Sequence, residues 1–533
     1  MYAQQHALAK QWDKRFGGTD VDAFTAFQQT LDGGFIIGGV SHSPISGDKT
    51  QPDWDTTRAS NDYWVVKIDI AGNKEWDKRF GGFGEDGLMA LQQTFDGGYI
   101  LGGTSFSGIG GDKTQSLRSG EDYWVVKIDS LGNKQWDKRF GGTTGANDLY
   151  SVVQTREGGY LLCGFSNSGV GGDKTQANWD VNNSYDDFWV VKIDSAGTKQ
   201  WDKRFGGTKE DGGIAIQTAS GGYLLAGGSS SDSSGDKSQN SWQGSVDYWI
   251  VKIDSAGSKQ WDKRYGGNSD EGLASVLQTK DGGYLLGGNS YSDNSGDKTQ
   301  NKEGYWIVKI DSLGIKQWDQ AFNGTNGGST LGTYIFPTFD GGYLLSGSSG
   351  ANAGIDKTEN SFGLPQGWVI KIDSLGNKQW DKTIFTDQGS GGIAIQTIDG
   401  CYALAAGSNS GIGGYKSQPN WDPTDSTSDY WIVKFCDTLI NSVTDITETD
   451  KVQLSIYPNP FTTDIAIALQ KPDLKQADFT ICNTLGQTVY TQHETNLSNN
   501  YTKMLDLSYL PNGVYFVEVV VDWERVVREV VKE

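Results

Sequence analysis

The sequence predicts a seven-bladed β-propeller of four-stranded antiparallel blades followed by a small Ig-like β-sandwich, and three observations predict it. The string Trp-Asp-Lys-Arg-Phe-Gly-Gly begins at Trp12 and recurs at Trp76, Trp136, Trp201 and Trp261, with degenerate copies at Trp318 and Trp380. A second anchor, a Trp followed by two Val/Ile residues or a Val-Ile pair and then Lys, places Trp64, Trp124, Trp189, Trp249, Trp306, Trp368 and Trp431 in step with it. The repeat region also begins and ends inside one hairpin, which suits a ring.

The anchor spacings of 64, 60, 65, 60, 57 and 62 residues make a repeat array, the feature to seek before any other. Within one unit, residues 76–80 alternate large and charged side chains, the period-2 signature of a strand. A Gly-Gly break leads to a second strand over 88–94. The turn Phe95-Asp96-Gly97-Gly98 supplies the positive-φ positions of a tight hairpin. Strands over 99–105 and 123–129 follow, separated by a long polar loop. Four antiparallel strands per unit describe a propeller blade.

An open solenoid is the rival. The chain enters the repeats at Trp12, the second half of a hairpin, and leaves them at 429–435, its first half. If the halves pair, the first strand completes the last blade and no sheet edge stays bare. The same closure makes the Trp-Asp-Lys strand outermost and lines the channel with 88–94 and its equivalents. Both short turns then share one face, and the long loops and blade connections share the other, where binding sites concentrate.

Composition agrees with many short strands and tight turns: 74 Gly, 19 Trp, 23 Tyr and 21 Phe against 10 Pro. A formal charge of −21 excludes a nucleic-acid partner, whose phosphates need a basic face. No apolar run is long enough for a membrane span, and a monomer is expected. Residues 1–9 lack an apolar stretch and read as the trimmed remnant of a signal peptide. The expected domains are the propeller over 10–437, a polar linker over 438–451 and the sandwich over 452–533.

The last segment has few glycines and short β-rich runs at 452–457, 464–470, 478–482, 488–491, 503–506 and 514–521. Its motifs are Ser455-Ile-Tyr-Pro-Asn-Pro-Phe461, Asn483-Thr-Leu-Gly-Gln-Thr-Val489, Leu510-Pro-Asn-Gly-Val-Tyr515 and the terminal Arg528-Glu-Val-Val-Lys532. In order and spacing they resemble the type A C-terminal sorting domain of the type IX secretion system. The resemblance implies a Bacteroidota source, passage through the periplasm, recognition by the type IX machinery and delivery to the outer-membrane surface or the medium.

Candidate ligand residues lie in the long loops. Trp54, Trp179, Trp242 and Trp421 each stand four residues after the Thr or Ser of a Gly-x-Lys-(Thr/Ser)-Gln signature, and three are followed by an acid: Asp55, Asp180 and Asp422. A Trp beside a carboxylate suits a sugar, the ring stacking on C–H faces while the carboxylate accepts hydroxyls. The alternative is that each Trp folds its own loop onto the blade rim. The Gly47-Asp48-Lys49-Thr50 signature matches neither a phosphate loop nor an EF-hand and reads as a structural turn with a Lys–carboxylate contact.

Acids also recur at the entry to the channel strands: Asp22, Asp86, Asp148, Asp211 and Asp270. Converging carboxylates repel, and Ca²⁺ with oxygen ligands would relieve that. The alternative is capping of the blade connections. Cys401 and Cys436 begin and end neighbouring strands of blade 7, and a disulfide between them is expected in an oxidising compartment. Only three histidines exist and no nucleophile accompanies them, so enzyme chemistry has little support. The leading expectation is a glycan-binding surface protein. The alternatives are a polysaccharide-active enzyme and an adhesin that meets another surface protein.

Overall fold

The computed structural model describes residues 8–55, 57, 60–118, 120–325, 330–437, 453–471, 474–483, 488–521 and 524–532. Residues 1–7 of the N-terminal segment and the whole linker over 438–451 lie outside them. The chain divides into two compact units, Met1–Thr438 and Leu439–Glu533.

Among the described residues of the first unit, the strands form seven four-stranded antiparallel sheets, the blades of a propeller. Blade 1 runs outward from the channel as Asp22–Gln29, Phe35–Ser41, Asp62–Ile68 and Lys74–Phe80. Blade 7 takes Gly392–Gln396, Tyr402–Ser408 and Asp429–Asp437 from one end of the repeats and its outer strand, Leu8–Phe16, from the other. That last pairing sets Phe16 opposite Tyr430 and Leu8 opposite Asp437. The ring is closed by the first strand, as the broken hairpin predicts.

The two Trp anchors have different duties. The third strand of each blade is covered on both faces by its neighbours, which is why it reads as an unbroken apolar run. Tyr63, Trp64, Val65 and Val66 are all fully buried. Tyr63 donates to the Trp124 carbonyl of blade 2 at 3.1 Å, and Tyr430 of blade 7 donates to the Trp64 carbonyl at 3.1 Å. Trp76 of the outer strand instead covers Tyr99 edge-on, with ring centroids 6.0 Å apart.

Each buried Trp indole is satisfied by the Asp of the outer strand. Trp64 Nε1 donates to Asp77 at 3.2 Å, and the same carboxylate accepts from Lys74 at 2.9 Å and from the Thr50 backbone at 2.9 Å. In blade 7 this acid is Asp13, which takes the Trp431 indole at 3.2 Å and the Ser417 backbone at 2.8 Å from the far end of the repeats.

In the short turns the first glycine of Asp-Gly-Gly carries the positive φ, 83° at Gly33. The second is required by close approach: a Cβ on Gly34 would lie 2.3 Å from the Ile68 carbonyl. Blade 7 places Cys401 at this position, disulfide-bonded to Cys436 with Cα atoms 4.4 Å apart. In blade 1 the position matching Cys436 is Asp69, which opens the hairpin to the outer strand. Blade 7 needs no such hairpin, because its outer strand arrives from the N-terminus.

The second unit is a sandwich of a three-stranded sheet (Gln453–Tyr457, Asp464–Gln470, Asn500–Asp506) and a four-stranded one (Thr488–Thr495, Gln476–Asn483, Gly513–Val521, Glu524–Lys532). Ile465, Ile467 and Leu505 of one sheet meet Phe479, Ile481, Val517 and Val519 of the other in one core. The final strand is one more than the sequence runs predict, because its alternation is crowded by Arg and Glu residues.

Two measurements follow from closure. Asp13→Ala strands the buried Trp431 indole at about 1–3 kcal/mol and loses the part-buried Ser417 bond, and is expected to lower stability in urea by roughly 2–3 kcal/mol, with Asp13→Asn recovering part of the loss. Reducing the disulfide frees a loop with a sequence separation of 35 and is expected to cost about 2–4 kcal/mol, read as a fall in Tm.

Candidate functional site

The loop tryptophans join neighbouring blades. Trp54 of blade 1 donates its indole N–H to Asp112 of blade 2 at 2.9 Å, while Arg79 lies over the Trp54 ring at 4.3 Å and donates to the same carboxylate at 3.2 Å. Trp179, Arg204 and Asp236 repeat the clamp, with 2.8 Å from indole to carboxylate and 4.4 Å from cation to ring. Trp242, Arg264 and Asp297 do so at 3.4 and 4.9 Å. Across the closure Trp421 donates to Asp48 at 2.8 Å and Arg15 lies over the Trp421 ring at 4.2 Å, its guanidinium paired with Asp429 at 3.9 Å. Blade 2 uses Arg118 and Arg139 on Asp173, and blade 5 uses Lys302 on Asp356. Blade 6 replaces the clamp by Phe362 against Phe385, 5.4 Å between ring centroids.

The accompanying acids are also occupied. Asp55 accepts from the Thr57 backbone at 2.9 Å, Asp180 from Asn182 and Ser184, and Asp422 from Thr424 and Ser426. These are Asx-type turns that shape each loop. The Gly-Asp-Lys-Thr signature completes the scaffold: Asp48 receives the Trp421 indole, and the buried Lys49 is bonded to Ser41 and Asp53. The four tryptophans therefore have one ring edge and one face committed to the seams between blades.

The acids at the channel-strand entries are not brought together. Asp22 accepts from Gly18 N at 2.7 Å and Ser43 Oγ at 3.0 Å, fully buried inside its own blade connection. Asp86 and Asp211 repeat this with Gly82 and Ser107 and with Gly207 and Ser231. Burial pushes the Asp22 carboxyl up to about 7. Asp148 and Asp270 stand one residue out of register with these three, because the equivalent positions are Asn147 and Glu271. Asp148 accepts from Thr104 at 3.0 Å and Asp270 from the Val246 backbone at 2.9 Å. Among the described residues no group of three His, Cys, Asp or Glu side chains forms a shell that could hold a metal ion.

The concave surface lies elsewhere, in the channel. Phe24, Met89, Tyr150, Ile214, Ala274, Tyr334 and Ile393 line it, one from each inner strand. Two connected lobes share Tyr150, Ile214, Ala274 and Tyr334, with volumes of about 460 and 690 Å³. The smaller lobe runs up beside blade 4 to Asp186 and Glu210. At its wall Tyr150 stacks on Phe165 with centroids 4.3 Å apart and planes 24° from parallel.

At this lobe blade 4 departs from its neighbours, and blade 7 departs in the same way, with Gly391-Gly392-Ile393 in the places of Gly212-Gly213-Ile214 and no register shift between Gly392–Gln396 and Tyr402–Ser408. The inner strands of blades 1, 2, 3 and 5 each contain a register shift, whereas Asp211–Gln217 pairs with Tyr223–Ser229 without one. A bulge adds a residue and re-aims the strand; its loss leaves this strand one residue shorter than its neighbours. Two glycines complete the cut. A Cβ on Gly212 would lie 2.1 Å from Phe165 Cδ1, and one on Gly213 2.2 Å from the Ala226 carbonyl.

The lobe's rim is acidic. Glu210 Oε2 accepts from the Asp186 backbone at 3.1 Å. Burial, with Glu210 and Asp148 adding negative charge, raises the Asp186 carboxyl to about 6. Burial, with Asp148 and Asp186 beside it, raises Glu121 to about 7. An aromatic platform next to carboxylates in an open cleft is the usual make-up of a small-ligand site: mostly apolar walls with a few placed polar groups. Tyr150 and Phe165 fall at no repeat anchor, so the repeat pattern does not mark them. The signal was the inner strand of blade 4, seven residues long where those of blades 2, 3 and 5 have eight.

The clamp assignment has a direct check. Trp54→Ala and Arg79→Ala are each expected to destabilise the free protein, with a coupling of about 1–2 kcal/mol in a double-mutant cycle followed by urea denaturation.

In the sandwich the sorting motifs close on one another. Phe461 N donates to the Val531 carbonyl at 2.8 Å, and Val531 N donates to Asn459 Oδ1 at 2.8 Å. The buried Lys532 ammonium donates to the Leu507 and Ser508 carbonyls at 2.7 and 2.9 Å and faces the Phe461 ring. Tyr515 donates to the Pro511 carbonyl at 2.7 Å. Residues 484–487 of the second motif lie outside the described residues.

Residues 455–533 match the family described as the secretion system C-terminal sorting domain. The chain is 23% identical over 380 residues to the regulatory protein FlaEY of Caulobacter vibrioides, a match that covers 66% of this chain and 37% of that protein. Similar solved structures include a protein of unknown function from Dyadobacter fermentans, at 11% identity and TM-score 0.42 over 81% of this chain and 99% of that one. A puromycin hydrolase also aligns, at 10% identity and TM-score 0.42 over 88% of this chain and 63% of that one. Among the described residues no helix is long and apolar enough to cross a membrane. With its terminal motifs folded into a sorting domain, this chain is a cargo protein of the type IX secretion system, directed to the cell surface or the medium.

Proposed function

We propose that the exported propeller is a non-enzymatic binding protein that takes a glycan at the long-loop mouth of its channel. The observation that carries this reading is the Tyr150–Phe165 stack beside Asp186 and Glu210 in a cleft of about 460 Å³. A pyranose presents a C–H face that packs on such a ring and hydroxyls that donate to carboxylates. Tyr150, Phe165 and Asp186 come from blade 3 and Glu210 from the connection into blade 4, so two consecutive blades bring both rings and both acids together.

The reading moves the binding surface away from Trp54, Trp179, Trp242 and Trp421. Their clamps hold the long loops still, so they support a site at the channel mouth without touching its ligand. One observation favours a second reading, a polysaccharide-active enzyme: a carboxyl held near 6 beside a second carboxyl suits a general acid.

A glycan array probed with the full chain tests the proposal. Saturable binding that Tyr150→Ala reduces at least tenfold without changing Tm supports it, and release of reducing ends from the bound glycan would favour the enzyme. A silent array would refute the glycan reading. Export has its own check: removing residues 455–533 is expected to leave the propeller in the periplasm, read as loss of protease-accessible protein on intact cells.

A further inference from the structure

We propose that the blade-4 cleft selects sugars carrying a free, protonated amine, so that its ligand is an amino-sugar polymer rather than a neutral glycan. This rests on the reading of the cleft as a glycan site and narrows it.

The first ground is the cleft itself, an apolar lobe with a flat ring platform at one wall and open at its rim. Tyr150 is 36% exposed there and keeps a face for a ligand while Phe165 backs the other. A ring face attracts a cation as well as C–H groups. The second ground is the sign of the rim. Glu121, Asp148, Asp186 and Glu210 gather on blades 2 to 4. Lys174, whose positive charge reaches Asp186, is buried with its ammonium bonded to Ser166 and Asn178. A neutral glycan needs acceptors and donors in comparable number, and this rim offers carboxylates.

The third ground is where the acids fall. In blades 6, 7 and 1 the residue matching Asp186 is Pro365, Ser428 and Asn61, and in blade 1 the residues matching Glu210 and Asp148 are Val21 and Ala23. The acidic arc therefore falls on one side of the ring, where it meets the cleft at the Tyr150–Phe165 pair. A cationic ligand uses the arc and the ring platform together. An ammonium set between Asp186 and Glu210 relieves the repulsion of like charges, while the sugar ring rests on Tyr150.

Protonation gives the proposal a pH signature. Asp186 is faced by Glu210, Asp148 and Lys174, and Glu121 by Asp148, Asp186 and Asp122. With carboxyls raised to about 6 and about 7, the rim is partly neutral at pH 5.5 and gains negative charge as pH rises to 7.5.

Calorimetry on the full chain compares a glucosamine hexamer with its fully N-acetylated counterpart. The amine form is expected to bind at least tenfold tighter near pH 6.5, with the ratio falling toward pH 5 as the rim carboxyls protonate and toward pH 8.5 as the sugar amine loses its proton. The double variant Asp186→Asn/Glu210→Gln is expected to abolish the preference, and Glu121→Gln, farther along the rim, to reduce it. General attraction to a chain of charge −21 survives the loss of two carboxylates, so a vanished preference reports the cleft. Equal binding of both hexamers, or a preference that survives the double variant with its Tm unchanged, overturns the proposal and leaves the glycan site standing. Binding of neither, together with a silent array, removes both.

Discussion

In every blade the carboxylate of the outer Trp-Asp-Lys strand accepts from several directions at once, and the ring depends on it. Asp77 takes the indole N–H of Trp64, the ammonium of Lys74 and the backbone N–H of Thr50, so that one buried acid joins the third strand, the outer strand and the long loop. Hydrogen bonds to a charged acceptor contribute about 1.5–3 kcal/mol each, more than neutral ones. At the seventh blade the acid is Asp13, more than 400 residues from the Trp431 and Ser417 groups it accepts from. Closure thus reuses the repeat's own interaction, and the disulfide between Cys401 and Cys436 reinforces the blade where the two ends meet.

A ring built this way has its side chains spoken for. The long loops, which by position look like binding loops, spend their tryptophans and acids on the seams: indole to aspartate, arginine over indole, aspartate to its own loop backbone. The consequence for function is that a site is to be sought where the repeat fails. In blade 4 an inner strand without the bulge of its neighbours, a form that blade 7 shares, stands beside a lobe walled by the Tyr150–Phe165 pair. The rigid clamps hold that lobe in shape, a division of labour common to scaffolds that carry functional loops.

The propeller, its strand order and the use of the first strand in the last blade were legible from two tryptophan spacings, because each spacing reports a whole supersecondary unit. What a repeated residue faces was not legible. Trp54 and Asp55 read equally well as a sugar platform or a loop fastener, since periodicity records position and says nothing of the partner contributed by the next blade. Asp148 and Asp270 were set in register with Asp22 by spacing alone, and one residue of offset put them on different surfaces. Tyr150 and Phe165 carry no anchor, and the shortened strand at Asp211–Gln217 is a one-residue change inside units whose lengths already vary. The sorting motifs were legible as strings, whereas their mutual contacts, such as Lys532 on the Leu507 carbonyl, needed the fold.

The account stands on the first strand being an integral part of blade 7. Hydrogen exchange of the full chain reads this directly. The amides of Leu8–Phe16 that face Asp429–Asp437 are expected to exchange together with those of Lys74–Phe80, the outer strand of blade 1, over the timescale of global opening. Exchange of Leu8–Phe16 within seconds, while Lys74–Phe80 stays protected, would mean an open ring and would contradict the account.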